Sequence, residues 1–354
     1  MTTYTLGVLH GDGIGEEIVP ATVRVIDAAV AREDAVRIDW VEHPIGFAGI
    51  EQHGSPTPAP TLEALDALQG WILGPHDSAS YPERFMKELN PSGQLRKRYD
   101  LYANVRPARN LPGVPSVLED VDLVVVRENT EGFYADRSMT EGHGELLVTP
   151  DVAISVSRFT RKATERIAHA AFRLARTRRK RVTIVHKANV LRITTGLFRD
   201  VCREVGEQYP DVVVDDYHID AVTALLVRRP ETFDVIVTEN MFGDILSDLT
   251  GELVGSLGVA GSINAGDDVA MAQAAHGSAP DIAGRGIANP IGIMASAWEL
   301  LRWLGNRNDD GGLVSVGEAC DAAMMAALTA GHRTADLGGE LGTEEFADRI
   351  IAGL

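Results

Sequence analysis

Valine-rich runs of strand length alternate with longer stretches of helical period along almost the whole of this chain. Residues 5–10, 36–41, 70–73, 101–105, 121–126, 182–185, 212–214 and 235–238 read as strands, most of them short. Between the first two, residues 16–32 set Ile18, Val19, Thr22, Val23, Ile26 and Val30 on one helical face. Strands separated by helices return in the same direction, so the alternation predicts an α/β protein with a largely parallel sheet. Near-continuous apolar strands of this kind require helices on both faces of the sheet. A length of 354 residues suggests about two domains, each able to bury its own core.

Two segments interrupt the alternation. Residues 51–60, EQHGSPTPAP, are turn-forming and predict a surface loop. Residues 135–150 are polar and glycine-bearing, and the following residues 151–157 alternate apolar with polar. That region reads either as a solvated loop or as an extended arm or hairpin that reaches another subunit.

Charge limits what such a fold binds. Thirty-three basic against fifty-one acidic side chains leave a formal −18, which repels phosphate backbones and anionic headgroups. Neither nucleic acid nor membrane is expected as a partner. The start MTTYTLGVLHGDG has no basic, apolar leader, and no uninterrupted apolar run approaches the ~20 residues that cross a bilayer. Cys202 and Cys320 lack metal-ligand spacing and suit a reducing compartment. A cytoplasmic protein is therefore expected. The basic run 176–181 closes a helix predicted over 158–176, where cations complement the negative end of the helix dipole.

Several motifs carry chemistry. GDGIG at 11–15 lies between a predicted strand and helix, yet its spacing is not the GxGxxG of an ordinary Rossmann site. In NMFGDILSD, Asp244 and Asp248 stand four apart and project from one helical face. Like charges so placed either stay solvated or share a divalent cation with oxygen ligands. Arg96, Arg106 and Arg127 include two at strand ends, where α/β proteins build ligand sites. Converging guanidinium forks match carboxylates, which points to a small polycarboxylate, although structural ion pairs explain any one of them singly. Lys187 also ends an apolar strand, where desolvation favours a general base, and Tyr134 is a candidate proton donor.

Taken together, GDGIG, LRKRYDLYANVRP, VVVRENTEGFY, VHKANV, TENMFGDILSDL and HGSAPDIAGRGIANP resemble the isocitrate and 3-isopropylmalate dehydrogenases, in order and across nearly the whole chain. The resemblance implies oxidative decarboxylation of a β-substituted malate with NAD and Mg²⁺ or Mn²⁺. It places Arg96, Arg106 and Arg127 on the substrate carboxylates, with Ser92 beside them. Asp220, Asp244 and Asp248 would hold the metal. Lys187, near Asp220 of the same subunit, would act in deprotonating the C2 hydroxyl, and Tyr134 would protonate the enolate. His276, Gly277, Ser278, Ala279, Asp281 and Asn289 would form the cofactor site, with Asn289 on the adenine. Asp281 and Ile282 stand where NADP-using relatives carry lysine and tyrosine, so NAD is expected.

The family also implies a homodimer in which Lys187 and Asp220 complete the neighbour's site, with 135–157 as the intersubunit arm. Its fold has two domains. Residues 1–102 and 255–354 would bind the cofactor, while 103–254 would bind substrate and metal and form the dimer contact.

Departures from the family bear on the substrate. Where the isopropylmalate enzymes place leucines before the first arginine, this chain has Ser92, Gly93 and Gln94, a polar and roomier lining. Losing apolar contacts around an isopropyl group costs about 1–3 kcal/mol of discrimination. Tartrate, D-malate, homoisocitrate and isocitrate are the alternatives to 3-isopropylmalate. Gln273 replaces a family glutamate and Glu16 a proline, both near the cofactor site. A metal-dependent hydrolase would use the same aspartates but leaves HGSAPDIAG and the arginine trio unexplained. A noncatalytic regulatory subunit need not retain Tyr134, Lys187 and three aspartates.

Overall fold

The computed structural model describes residues 1–86, 88–139, 142 and 144–354. The chain opens with β1 (Thr2–Leu9), α1 (Gly15–Val30) and β2 (Val36–Glu42). Helix α1 buries Ile18, Val19, Thr22, Val25 and Ile26, close to the face that the apolar spacing marks. Next come α2 (Phe47–His53), α3 (Ala59–Leu65), β3 (Gly70–Leu73) and α4 (Pro91–Arg98).

The predicted loop at 51–60 is therefore too long, because only residues 54–58 join α2 to α3. Gly54 ends α2 with a left-handed φ of 74°, a conformation that costs glycine little. Pro58 and Pro60 flank the start of α3, where a fixed φ and a missing N–H do no harm.

The middle of the chain supplies β4 (Ala103–Arg109), β5 (Asp122–Glu128), β6 (Glu145–Thr149), β7 (Val152–Ser155), α5 (Arg161–Arg176) and β8 (Arg181–His186). It continues through α6 (Thr194–Gly206), β9 (Val213–His218), α7 (Ile219–Arg228), β10 (Val235–Thr238) and α8 (Asn240–Val254). The remainder forms β11 (Ile263–Ala265), β12 (Ala270–Ala272), α9 (Ile291–Arg307), α10 (Gly311–Thr329) and α11 (Thr343–Gly353).

Ten strands make one sheet in the order β2-β1-β3-β12-β11-β4-β5-β10-β8-β9. Both flanks are parallel, as the alternation of elements predicts. The centre is not: β11 runs antiparallel to β12 and to β4, and β4 antiparallel to β5. Strands β11 and β12 are additions to the sequence reading, since three residues carry no readable period.

Strand alternation decides which helices cover which face. Val124 and Val126 of β5 enter a cluster with Ile167, Phe172 and Phe198 from α5 and α6. Leu123 and Val125 enter another with Val222, Leu226 and Leu246 from α7 and α8. In the other half of the sheet, Tyr4, Leu6 and Val8 pack with Ile18, Trp298 and Phe346, whereas Leu9, Trp71 and Leu73 pack with Leu65 and Leu95. The apolar helix α10 belongs to this core, burying Leu313, Val316, Cys320, Met324 and Leu328.

Two sequence expectations resolve directly. The basic run is absorbed by acids: Arg176 pairs with Asp211, Arg178 with Asp122 and Asp234, and Arg181 with Asp215. Residues 145–155 form a separate antiparallel hairpin of β6 and β7, so the region is not a featureless loop. Residues 140, 141 and 143 of the expected arm lie outside the described residues. The hairpin exposes Leu146, Leu147, Val148, Val152 and Ile154, an apolar ribbon that belongs to none of the four buried clusters.

Phe172 is fully buried and stacks on Tyr209 with ring centroids 5.0 Å apart. Phe172→Ala should cost about 3–5 kcal/mol through lost burial and the cavity it leaves, read from urea unfolding followed by circular dichroism.

Candidate active site

The site grows from the C-terminal end of β5 and the first turns of α8. Glu239 caps α8 by accepting from the backbone N–H groups of Met241 (3.1 Å) and Phe242 (2.9 Å). The helix then carries Asp244 and Asp248 one turn apart. Gly243 brings it close to the strand, since a Cβ there would lie 2.6 Å from the Cβ and Cγ of Arg127. A side chain at that position would push α8 away from β5.

Arg127 is only 2% exposed, and its guanidinium is spent on three contacts. Nε and Nη2 donate to Asn240 Oδ1 at 2.9 and 2.7 Å, while Nη1 pairs with Asp244 Oδ1. Arg106 donates from Nη1 to Ser247 Oγ at 2.7 Å and lies 3.5 Å from Asp248 and 3.8 Å from Asp244. Tyr134 donates its hydroxyl to Asp244 Oδ2 at 3.2 Å.

Burial works to raise the Asp244 pKa, but Arg127 and then Arg106 outweigh it and hold the carboxyl below its ordinary range. Asp248 goes the other way, raised by burial and by the Asp244 charge against Arg106. The structure thus joins Arg106, Arg127, Tyr134, Asp244 and Asp248 in one place.

A second group lies on α4, whose first turn is capped by Asn90 Oδ1 accepting from Gly93 N at 2.7 Å. Ser92 Oγ donates to Gln273 Oε1 at 2.7 Å, and Arg96 Nη2 donates to the same oxygen at 3.0 Å. Buried asparagines tie this group to the first. Arg96 Nη1 reaches Asn129 Oδ1 at 3.4 Å, and Asn129 Nδ2 donates to Asn264 Oδ1 at 3.0 Å. Asn104 Nδ2 donates to that same Asn264 oxygen at 2.5 Å, and Arg106 Nε donates to Asn104 Oδ1 at 2.7 Å. Sequence reasoning missed Asn104, Asn129 and Asn264 as positioning residues. The available signal was an asparagine inside two otherwise apolar strand motifs, LYANVRP and VVVREN.

Lys187 stands apart from this cluster. Its Nζ donates to Asp220 Oδ1 at 2.6 Å, which lowers the Asp220 pKa. Asp220 has 68% of its side chain exposed and Lys187 25%, so the lysine is partly buried while its partner is open to solvent. Lys187 follows the end of β8 and is partly buried, with its ammonium ion-paired to an exposed carboxylate. His186 beside it is buried, accepting from Ala188 N at 3.1 Å on Nδ1 and bonding Asp216 Oδ1 at 2.8 Å through Nε2. Among the described residues no three acidic, histidine or cysteine side chains converge on one point, so Asp220 does not join Asp244 and Asp248 within one chain.

The HGSAPDIAG loop packs against GDGIG. Ile14 N donates to Ser278 O at 2.9 Å, and a Cβ on Gly13 would lie 2.1 Å from that oxygen. Asp12 N and Gly15 N are also engaged, with Pro75 O and Asp12 O, so this turn serves loop packing more than anion binding. Gly277 is exposed, Ala279 adopts a φ of +39°, and Asp281 is exposed with no partner among the described residues. His276 keeps a buried Nε2 without a partner, and burial lowers its pKa. Asn289 is held at both ends, donating to Asp336 Oδ2 at 2.9 Å and accepting from Ile291 N at 2.9 Å.

Paired carboxylates on one helix with two arginines drawn onto them, a third arginine on α4 and a separate lysine–aspartate pair make up the candidate active site of an α/β protein. A family model described as isocitrate/isopropylmalate dehydrogenase matches residues 5–350, and the chain belongs to that family. It is 42% identical over 353 residues to the isocitrate/homoisocitrate dehydrogenase of Thermus thermophilus, covering 99% of this chain and 98% of that one. Identity to the 3-isopropylmalate dehydrogenase of Archaeoglobus fulgidus is 39% over 346 residues, covering 98% of each. The crystal structure of isocitrate dehydrogenase from Methylococcus capsulatus superposes with a TM-score of 0.86 at 38% identity, covering 99% of both chains. The protein is therefore a decarboxylating dehydrogenase of hydroxy acids.

A third acid, Glu131, lies beside this machinery with its carboxylate on Thr160 N at 2.7 Å. Burial pushes it up to about 7, against the hydrogen bonds from Thr160. A raised folded-state value means stability that is full below the unfolded pKa and is lost as pH rises through the folded one. Glu131→Gln removes that loss. Relative to the parent it should gain about 1–3 kcal/mol between pH 5 and pH 8, measured by urea unfolding at both.

Proposed function

We propose that the protein oxidatively decarboxylates a β-substituted malate, in the manner of a 3-isopropylmalate dehydrogenase, using NAD and Mg²⁺ or Mn²⁺. The observation that carries this is the convergence of Arg106, Arg127 and Tyr134 on Asp244 and Asp248. Carboxylate oxygens on one helical face suit a hard divalent cation. Asp220 lies outside that cluster in a single chain, so the third carboxylate comes from a second copy. The uncovered apolar hairpin of β6 and β7 supports such a homodimer. For the cofactor, the exposed Asp281 carboxylate suits ribose hydroxyls and repels a 2′-phosphate. The unpartnered buried His276 Nε2 is a further polar atom in need of a ligand.

A nicotinamide held by the 276–289 loop would supply the hydride acceptor, and a divalent ion held by Asp244, Asp248 and the second copy's Asp220 would supply a Lewis acid. Without ligand, Arg106 and Arg127 are balanced by Asp244 and Asp248. Substrate carboxylates would take the place of those acids on the guanidiniums, leaving Asp244 and Asp248 to hold the cation. Lys187 of the second copy, oriented by Asp220 at 2.6 Å, takes the hydroxyl proton in its neutral amine form. Tyr134 delivers a proton to carbon after carbon dioxide departs. The Asp244 carboxylate at 3.2 Å holds its hydroxyl in place until then.

Purified protein with NAD and Mn²⁺ should release carbon dioxide and form NADH in equal amounts from at least one malate-type acid. NADH without carbon dioxide would refute the chemistry. Lys187→Ala should lower kcat about 10²–10⁴-fold. The double change Asp281→Lys with Ile282→Tyr should move preference from NAD towards NADP, read as the ratio of kcat/KM values.

A further inference from the structure

Lys187 and Asp220 leave the sheet from neighbouring strands at the same level. Strands β8 and β9 run parallel with His186 opposite His218, and the two rings meet edge to face with centroids 5.3 Å apart. Lys187 is the next residue after that layer on β8, and Asp220 lies in the first turn of α7, which starts directly after His218. A lysine holds its ammonium in one place only if its backbone is fixed as well, since the flexible four-carbon stem otherwise spreads the end group over many positions.

Two buried side chains fix that backbone. His186 is 2% exposed, and its ring spans Lys187 to accept from Ala188 N at 3.1 Å on Nδ1. An accepting Nδ1 puts the ring proton on Nε2, which donates to Asp216 Oδ1 at 2.8 Å. The other Asp216 oxygen accepts from Arg203 Nη2 at 2.5 Å, so the imidazole is held by an aspartate that is itself held. Burial lowers the His186 pKa against the hydrogen bond and charge of Asp216, which keeps the ring in that neutral form. Thr195 is buried near the start of α6. Its Oγ1 accepts from Lys187 N at 3.2 Å and donates to Leu191 O at 3.0 Å. Asp220 then takes the far end of the lysine at 2.6 Å. None of these bonds uses Arg106, Arg127, Asp244 or Asp248, so the lysine–aspartate pair is ordered within its own subunit.

We propose that His186 and Thr195 are positioning residues for the proton transfer: by bonding the amides on either side of the Lys187 Cα, they aim its amine from one subunit into the site of the other. This inference rests on the reading of Lys187 as general base in the β-substituted malate reaction above.

The test measures kcat and KM at saturating NAD and Mn²⁺, with whichever of isocitrate, homoisocitrate, 3-isopropylmalate, D-malate and tartrate the parent protein turns over fastest. Thr195→Val, which keeps the shape and loses the acceptor, and His186→Leu should each lower kcat about tenfold or more, with KM for the acid within about twofold. Thr195→Ser restores the hydroxyl, and His186→Asn supplies an amide oxygen that can accept from Ala188 N, so both should recover most of the loss. In a Lys187→Ala background, His186→Leu should lower kcat no further, because a residue that acts through the lysine has nothing left to position. Amide exchange of the peptide containing residues 187 and 188, followed by mass spectrometry without NAD or metal, should accelerate in Thr195→Val and His186→Leu but not in their conservative counterparts. Thermal unfolding establishes that the variants fold. An unchanged kcat, a rise in KM that matches the fall in kcat, or a loss that persists without Lys187 would overturn the positioning role while NADH formation upholds the broader reading. Failure of the parent protein to form NADH from any of the five acids overturns the broader reading, and this inference with it.

Discussion

The buried amide of Asn264 is the contact on which the rest of the site depends. Strands β4 and β11 meet antiparallel at the centre of the sheet, pairing Asn104 with Asn264 in register. Both side chains are inaccessible to water, so a polar atom meets a partner inside the protein or carries the cost of desolvation, as Asn264 Nδ2 does, which has no hydrogen-bond partner among the described residues. The Asn264 oxygen accepts from Asn104 and Asn129, and those two in turn accept from Arg106 and Arg96. One strand junction therefore sets the register of the sheet and the reach of two guanidiniums at once. A shift of one residue there would turn Asn104 and Asn264 to the opposite face and disconnect both arginines.

Electrostatics follows from the same frame. A chain of −18 appears ill-suited to a polyanionic ligand, yet its acids are already committed where they matter. Asp122, Asp211, Asp215 and Asp234 neutralise the basic run after α5, far from the site. Within the site, Asp244 and Asp248 balance Arg127 and Arg106, giving each charge a partner before any ligand arrives. Pairing of that kind spares the site most of the desolvation cost that isolated buried ions would carry.

Much of this was legible from residue order. Short valine-rich runs located most of the central strands and the helical period of residues 16–32 located α1, because burial leaves a mark in residue order in each case. The spacing of Asp244 and Asp248 on α8 was equally readable, being a property of a single helix. Strands β11 and β12 were not, since three residues hold no period. The loop at 51–60 was overextended because proline and glycine mark helix ends as readily as turns. Lys187 was readable as a lysine ending an apolar strand, but only the tertiary structure shows that its partner is the exposed Asp220 on α7.

Local order along the chain determined the α/β class, the elements and the identity of most charged groups in the site, since each depends on neighbours within a few residues. Tertiary structure alone decided which of them meet. Asn104 and Asn264 are 160 residues apart, and Arg127 and Asp244 are 117 apart, so no local pattern encodes their contact. The same is true of Gln273, which sequence order marks only as a substituted glutamate. Its meaning comes from a sheet that carries the residue after β12 up to Ser92 and Arg96, where one neutral oxygen holds both.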